Sequence, residues 1–159
     1  MKARINYTTR SPAAFRKYLE FAMALKEHST IDAATRELVE LRASQLNGCG
    51  FCVDMHVKKA TLQGERALRL HHVAIWREST LFTPRERAAL EWSETVTQLP
   101  PHGVSDAVFA RMREHFSEEE LSDLTFGIMA INGWNRVSVA FAVEPGSEDV
   151  AYGITGSNL

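Results

Sequence analysis

The sequence lacks the features that mark several specialised protein classes. No uninterrupted apolar run approaches the roughly 20 residues of a membrane-spanning helix, and the opening residues, MKARINYTTR, lack the apolar stretch of a secretory signal. We therefore predict no membrane association and a cytoplasmic location. The chain has 18 Lys and Arg against 20 Asp and Glu, without a concentrated basic patch, so nucleic acid is not an expected partner.

Cysteine is scarce, and the chain contains only Cys49 and Cys52. In a reducing compartment, a close pair of cysteines is more often catalytic or metal-binding than a permanent crosslink. A permanent crosslink would also add little stability, because closing so short a loop removes little entropy from the unfolded chain. The pair is therefore interpreted first as a reactive site.

Alternating apolar and polar runs typical of strands are also missing, and the apolar residues recur at helical spacing instead. The length of 159 residues, with 45% hydrophobic and 24% charged residues, suits one globular domain. We predict a single all-α domain over residues 1–159, with about six to eight helices, a core over about 12–142 and an irregular tail after Pro145.

Capping residues indicate where the helices begin. Ser11 followed by Pro12 is typical of a helix start, and Thr83 and Ser117 each precede a glutamate by three residues, which is the capping-box pattern. Asp32 can cap a further helix that ends at Asn47 and Gly48. The predicted helices cover roughly residues 12–27, 32–46, 49–62, one or two short segments within 65–79, and segments after Thr83, Ser105 and Ser117, with a break at 100–103.

The two cysteines fall in the first turn of the predicted 49–62 helix, where unpaired N–H groups favour a thiolate. His56 is four residues after Cys52, hence on the same helical face, but seven residues after Cys49. Cys52 is therefore the thiol that the imidazole can assist. Glu37 or Glu40, from the preceding helix, could orient the imidazole and balance its charge.

This arrangement predicts a thiol and disulfide cycle. Attack of a Cys52 thiolate on a peroxide would form a sulfenic acid, and Cys49 would condense with it to form a disulfide. An acid-base group must remove the thiol proton and deliver one to the leaving alkoxide, and His56 suits this task. An external dithiol must then reopen the disulfide.

The spacing of Glu37, eleven residues, Cys49-x-x-Cys52, three residues and His56 resembles the signature of the AhpD-like alkylhydroperoxidases within the carboxymuconolactone decarboxylase superfamily. Similarity also extends over CVDMHVKKA, over 76–92 and over INGWNRV at 131–137.

The resemblance implies that Cys52 attacks hydrogen peroxide or an organic hydroperoxide, that Cys49 resolves the product, and that Glu37 and His56 form the proton relay. It also implies an all-α homo-oligomer, commonly a trimer or hexamer. From the cycle itself we expect an external dithiol or thioredoxin-like reductant, and we expect no cofactor or metal.

One position departs from the family pattern. The best-known peroxidases of the family have a histidine directly before the second cysteine, where this chain has Phe51. Since phenylalanine cannot transfer protons, the relay has fewer members. Phe51 either walls the thiol pocket from water, which we favour, or belongs to the core. The superfamily also contains decarboxylases that lack the cysteine pair, so the pair favours redox chemistry.

Two metal interpretations are disfavoured because their ligands are incomplete, and two other functions stay open. A zinc site would have only three nearby ligands, namely Cys49, Cys52 and His56, and a c-type haem would need histidine where Val53 stands. The chain could instead be a general thiol-disulfide oxidoreductase, or a redox-sensing or interaction module without catalysis. Secondary expectations are surface or structural roles for His71 and His72, and packing or capping at the end of the last helix for Trp134, Asn135 and Arg136.

Overall fold

A computed structural model describes residues 3–155 of the chain, and every regular element within that range is helical. The predicted all-α class is confirmed. No helix in these residues is both long and apolar enough to span a membrane. The elements are α1 (Tyr7–Arg10), α2 (Pro12–His28), α3 (Ala33–Leu46), α4 (Gly50–Leu62), α5 (Ala67–His72), a 3-10 turn (Val73–Ile75), α6 (Pro84–Thr97), α7 (Asp106–Arg113), α8 (Glu118–Phe141) and α9 (Asp149–Tyr152).

Three of the predicted caps, at Asp32, Thr83 and Ser117, are formed by the expected side chains, whereas Ser11 begins α2 without a side-chain cap hydrogen bond. Asp32 accepts a hydrogen bond from the Thr35 backbone amide at 2.8 Å and begins α3. Thr83 and Ser117 form complete capping boxes with the glutamates three residues later. These bonds satisfy amide groups that a helix start leaves without partners, so local sequence alone sets three of the helix starts.

Two short helices correct the prediction. The described residues contain nine α-helices rather than six to eight, because α1 and α9 each have only four residues, too few to show a helical period. The tail after Pro145 is therefore not wholly irregular: α9 lies in it and ends at Gly153, whose φ of 67° is left-handed. The last part of that tail, 156–159, lies outside the described residues.

Helix α3 lies at the centre of the fold and packs against α4, α6 and α8. Its side chains Leu38, Val39 and Leu41 are at most 2% exposed. Burial of each such side chain stabilises the fold by about 1.5–3 kcal/mol. Because α3 is enclosed in this way, any polar side chain that it directs inward must find a partner on a neighbouring helix.

Helix α2 covers one side of this core without burying any residue completely. The Tyr18 hydroxyl on α2 donates a hydrogen bond to the Ala130 carbonyl of α8 at 2.8 Å. Gly133 permits this close approach, because a Cβ atom at that position would collide with the Tyr18 side chain. The space that remains between α2, α4 and α8 contains the candidate site.

Candidate active site

The two cysteines form a disulfide at the start of α4. Gly48, with a left-handed φ of 64°, turns the chain between α3 and α4. Cys49 is then the N-cap of α4, and its Sγ accepts a hydrogen bond from the Cys52 amide at 3.2 Å. The Cα atoms are 5.3 Å apart, within the ordinary range for a disulfide, and both residues are 1% exposed.

A buried amide network holds the turn before Cys49. The Asn47 side chain donates hydrogen bonds of 2.8 Å to the side-chain oxygens of Asn132 and Asn135 on α8. Asn135 in turn donates to the Ser44 hydroxyl at 3.0 Å. Because these groups satisfy one another inside the protein, they fix the cysteine pair against α8.

This network corrects the sequence interpretation of INGWNRV. Helix α8 extends to Phe141, so Trp134, Asn135 and Arg136 lie within the helix and not at its end. Asn135 is fully buried, whereas Arg136 is exposed and donates to the Asn132 carbonyl oxygen at 2.8 Å. One sequence feature could have indicated this buried network, namely two asparagines three residues apart in a mostly apolar segment.

Glu37, Glu40 and His56 meet between α3 and α4. The His56 Nδ1 lies 2.7 Å from Glu37 Oε2 and 3.3 Å from Glu40 Oε2. His56 is 1% exposed and Glu37 is 8% exposed. Glu37 is thus the nearer of the two carboxylates that the sequence proposed, and Glu40 stands beside it.

The hydrogen bond to Glu37 determines the histidine tautomer. Burial would raise the pKa of Glu37, but the hydrogen bond and charge of His56, with Lys59 and Lys26 nearby, lower that pKa overall. Since an ionised carboxylate only accepts, Nδ1 carries the proton and donates it. The other nitrogen, Nε2, is buried and has no hydrogen-bond partner among the described residues, so it is the atom able to exchange a proton.

A cavity of about 120 Å³ lies beside this cluster, and Cys52, His56, Phe51 and Met55 all line it. Its other walls come chiefly from α2, α3 and α8 and are mostly apolar, including Leu19, Ile131 and Trp134, and α1 and α9 each contribute a tyrosine. Of the two disulfide-bonded cysteines, Cys52 lines the cavity and Cys49 does not. A small molecule in the cavity would therefore meet Cys52 first.

The same residues are the candidates for a metal site. Donor atoms of Glu37, Glu40 and His56 lie within 4.8 Å of one another. A metal bound through Nδ1 would have to replace the hydrogen bond to Glu37, which already satisfies that nitrogen. The zinc ligand set considered from the sequence is different, and its two cysteines are bonded to each other here.

The remaining histidine pair lies away from the cavity. His71 is exposed, and His72 Nδ1 lies 3.0 Å from the Ser79 hydroxyl. Neither residue lines the cavity. His71 therefore lies on the surface, and His72 has a structural contact.

Known proteins are similar to this chain in sequence, and solved structures are similar to it in fold. The profile of the carboxymuconolactone decarboxylase family matches residues 12–95. The uncharacterized protein YdfG of Bacillus subtilis is 40% identical over 140 residues, which cover 88% of this chain and 95% of YdfG.

Two crystal structures are also similar. A protein of unknown function from Agrobacterium tumefaciens, with a suggested identity as the antioxidant defence protein AhpD, is 39% identical, with a TM-score of 0.87 over 92% of this chain and 100% of that one. An uncharacterized peroxidase-related protein from Ralstonia eutropha, containing an alkylhydroperoxidase AhpD core, is 25% identical, with a TM-score of 0.79 over 89% of this chain and 75% of that one.

Proposed function

This chain belongs to the AhpD-like members of the carboxymuconolactone decarboxylase family, and on that basis we propose that it is a cysteine-based peroxidase that reduces hydrogen peroxide or organic hydroperoxides. One observation carries the proposal. The disulfide sulfur of Cys52 and the imidazole of His56, whose Nε2 lacks a partner, line the same cavity. Nucleophile and acid-base group are thus available to one small substrate.

The cycle begins from the reduced pair. His56 Nε2 takes the proton of the Cys52 thiol, and Glu37 stabilises the resulting imidazolium through Nδ1. The thiolate attacks the terminal peroxide oxygen, the O–O bond breaks, and Cys52 becomes a sulfenic acid. The alkoxide leaves with the proton from His56 as an alcohol. Cys49 then attacks the sulfenic sulfur, which releases water and forms the observed disulfide.

An external dithiol returns the pair to its thiol form and is itself oxidised to a disulfide. Both cysteines are 1% exposed, so this burial favours a small or slender dithiol that enters the cavity over a thioredoxin-like protein, which would need the start of α4 to open. Steady-state rates with a small dithiol and with thioredoxin, measured on one preparation, compare the two reductants.

The direct test is peroxide reduction with a dithiol as reductant. Cys52→Ser removes the nucleophile, and we expect no turnover. Cys49→Ser retains attack but not resolution, so in the absence of added dithiol the reduced protein should consume about one equivalent of peroxide and stop at the sulfenic acid, trapped by a dimedone-type reagent. Full activity of the Cys52→Ser protein would falsify the assignment.

Two other functions give different results in the same assays. A general thiol-disulfide oxidoreductase would exchange disulfides rapidly without peroxide. A redox-sensing or interaction module would be oxidised by peroxide without steady turnover.

The proposal includes assembly into a homo-oligomer, a trimer or hexamer, and a cytoplasmic location. Light scattering on the purified protein and fractionation of cells test these two points. A monomer by light scattering would contradict the first, and recovery outside the cytoplasm would contradict the second.

A further inference from the structure

Two lysines stand among the charged side chains of the mostly apolar cavity, whose lining also includes Arg36, Glu40 and Asp123. Lys59 on α4 and Lys26 on α2 both line it, on the same cavity as Cys52 and His56. Lys26 is exposed, while Lys59 is partly buried and its Nζ lies 5.2 Å from the centroid of the Tyr152 ring. An apolar pocket with a few polar groups is the usual form of a small-molecule site.

The two ammonium groups repel each other. Burial and the neighbouring charge of Lys26 lower the pKa of Lys59, while Glu37 and Glu40 act in the opposite direction. Within residues 3–155, neither lysine has a carboxylate oxygen inside the 4.0 Å of an ion pair. Glu37 and Glu40 are instead turned towards His56, and Asp123 accepts from Thr30. The repulsion would be relieved by an anion that lies between the lysines.

The position of Lys59 along α4 suits a ligand that also reaches Cys52. Seven residues separate them, so the two Cα atoms are about 10 Å apart along the helix axis. Helical side chains lean towards the N-terminus, and Lys59, His56 and Cys52 all line the one cavity. A ligand with one aromatic ring and a polar group at each end can therefore place one group near Lys59 and the other near Cys52.

Building on the proposed peroxidase function, we propose that Lys26 and Lys59 bind the acid group of the substrate, and that the preferred substrates are organic hydroperoxides carrying a carboxylate. The cavity of about 120 Å³ is close to the size that accommodates a single aromatic ring. The apolar walls hold the hydrocarbon part, the lysines hold the carboxylate, and the hydroperoxide group lies at Cys52.

Kinetics with two matched substrates test the proposal. We expect kcat/KM for 4-carboxycumene hydroperoxide to exceed that for cumene hydroperoxide by about tenfold, as for one charge-assisted contact. Lys59→Met and Lys26→Met should abolish this preference by raising KM for the acid alone, and Lys59→Arg should keep it. Lys58→Met is the matched control, because Lys58 pairs with Asp54 and Asp149 instead of lining the cavity.

A binding measurement separates this inference from the peroxidase function. The disulfide form cannot attack peroxide, so calorimetry on it with 4-isopropylbenzoate and the neutral 4-isopropylbenzamide measures acid recognition alone. Tighter binding of the benzoate, lost in Lys59→Met, supports the lysine site even if no hydroperoxide is turned over, in which case only the peroxidase function fails. Equal turnover of both hydroperoxides, or equal binding of both benzoyl ligands, overturns the acid preference while leaving the peroxidase function intact.

Discussion

Two carboxylate clusters flank α3, and they differ in what is left unpaired. The cavity cluster consists of Glu37, Glu40, Cys52 and His56. The Glu94 cluster consists of Glu94 on α6 with Arg42, Trp76 and Arg77. Glu94 Oε1 accepts from the Trp76 indole at 2.8 Å and from Arg42 Nε at 2.8 Å, and Oε2 accepts from Arg77.

The donors in the Glu94 cluster do not exchange protons near neutral pH, since arginine stays charged and an indole only donates. Such a cluster can hold α3, α6 and the 3-10 turn together but has no atom free for acid-base chemistry. In the cavity cluster His56 Nε2 has no partner among the described residues. A buried polar group therefore becomes a candidate for chemistry when one of its atoms is left available beside a cavity.

The largest expected effect comes from His56→Gln. The amide can still donate towards Glu37 but cannot exchange a proton with Cys52, so peroxidase kcat should fall by about 10²–10³-fold. The matched change in the Glu94 cluster is Trp76→Phe, which removes the indole donor and should leave kcat unchanged. Steady-state assays check both variants. Equal losses of kcat in the two would contradict the assignment of acid-base chemistry to the cavity cluster and of a structural role to the Glu94 cluster.

The next effect concerns stability and its pH dependence. Burial would raise the pKa of Glu94, but hydrogen bonds from Trp76, Arg77 and Arg42 lower it overall. A carboxyl whose folded pKa is lowered contributes stability above its unfolded value, here 4.5, and that contribution is lost as pH falls through the folded pKa.

Glu94→Gln should therefore lower the free energy of unfolding by about 1–3 kcal/mol at pH 7, with peroxidase activity retained. The difference from the natural chain should shrink at pH 3. Urea unfolding at the two pH values measures this, and a difference that grew on acidification would show that Glu94 does not act as an ionised partner.

A comparable loss of stability is expected from the asparagine network behind the cysteines. Asn135→Ala leaves the Asn47 and Ser44 side chains short of a partner and should cost about 1–3 kcal/mol. Because the Cys49 turn loosens, kcat should also fall severalfold. Arg136→Ala, at the exposed neighbour, is the control and should change both quantities less. A stable Asn135→Ala protein with normal kcat would show that the network does not position the cysteines.

The smallest expected effect tests the departure from the family pattern. Phe51 is 8% exposed and lines the cavity, so Phe51→His places a second acid-base group beside Cys52. We expect a severalfold rise in kcat/KM for peroxide, with some loss of stability because a polar ring replaces a packed one. Phe51→Leu controls for the lost aromatic ring, and an equal change in both variants would remove the acid-base explanation.

Much of the fold could be predicted because its signals are local. A cap needs only a side chain and an amide three residues later, so Asp32, Thr83 and Ser117 indicated helix starts that the structure contains. The short helices α1 and α9 could not be predicted in the same way, since four residues carry no helical period. The length of α8 beyond Arg136 was also missed, because nothing in the local sequence shows how far packing extends a helix.

Helical spacing alone predicts that the chain is helical, that Cys49 and Cys52 lie together at the start of one helix, and that His56 is one turn from Cys52. Tertiary packing is needed to show that Glu37 lies nearer to His56 than Glu40 does, that Asn135 supports the cysteine turn, and that Lys26 and Lys59 share the cavity with Cys52. These relations join different helices, and the distances between helices depend on how the whole core packs.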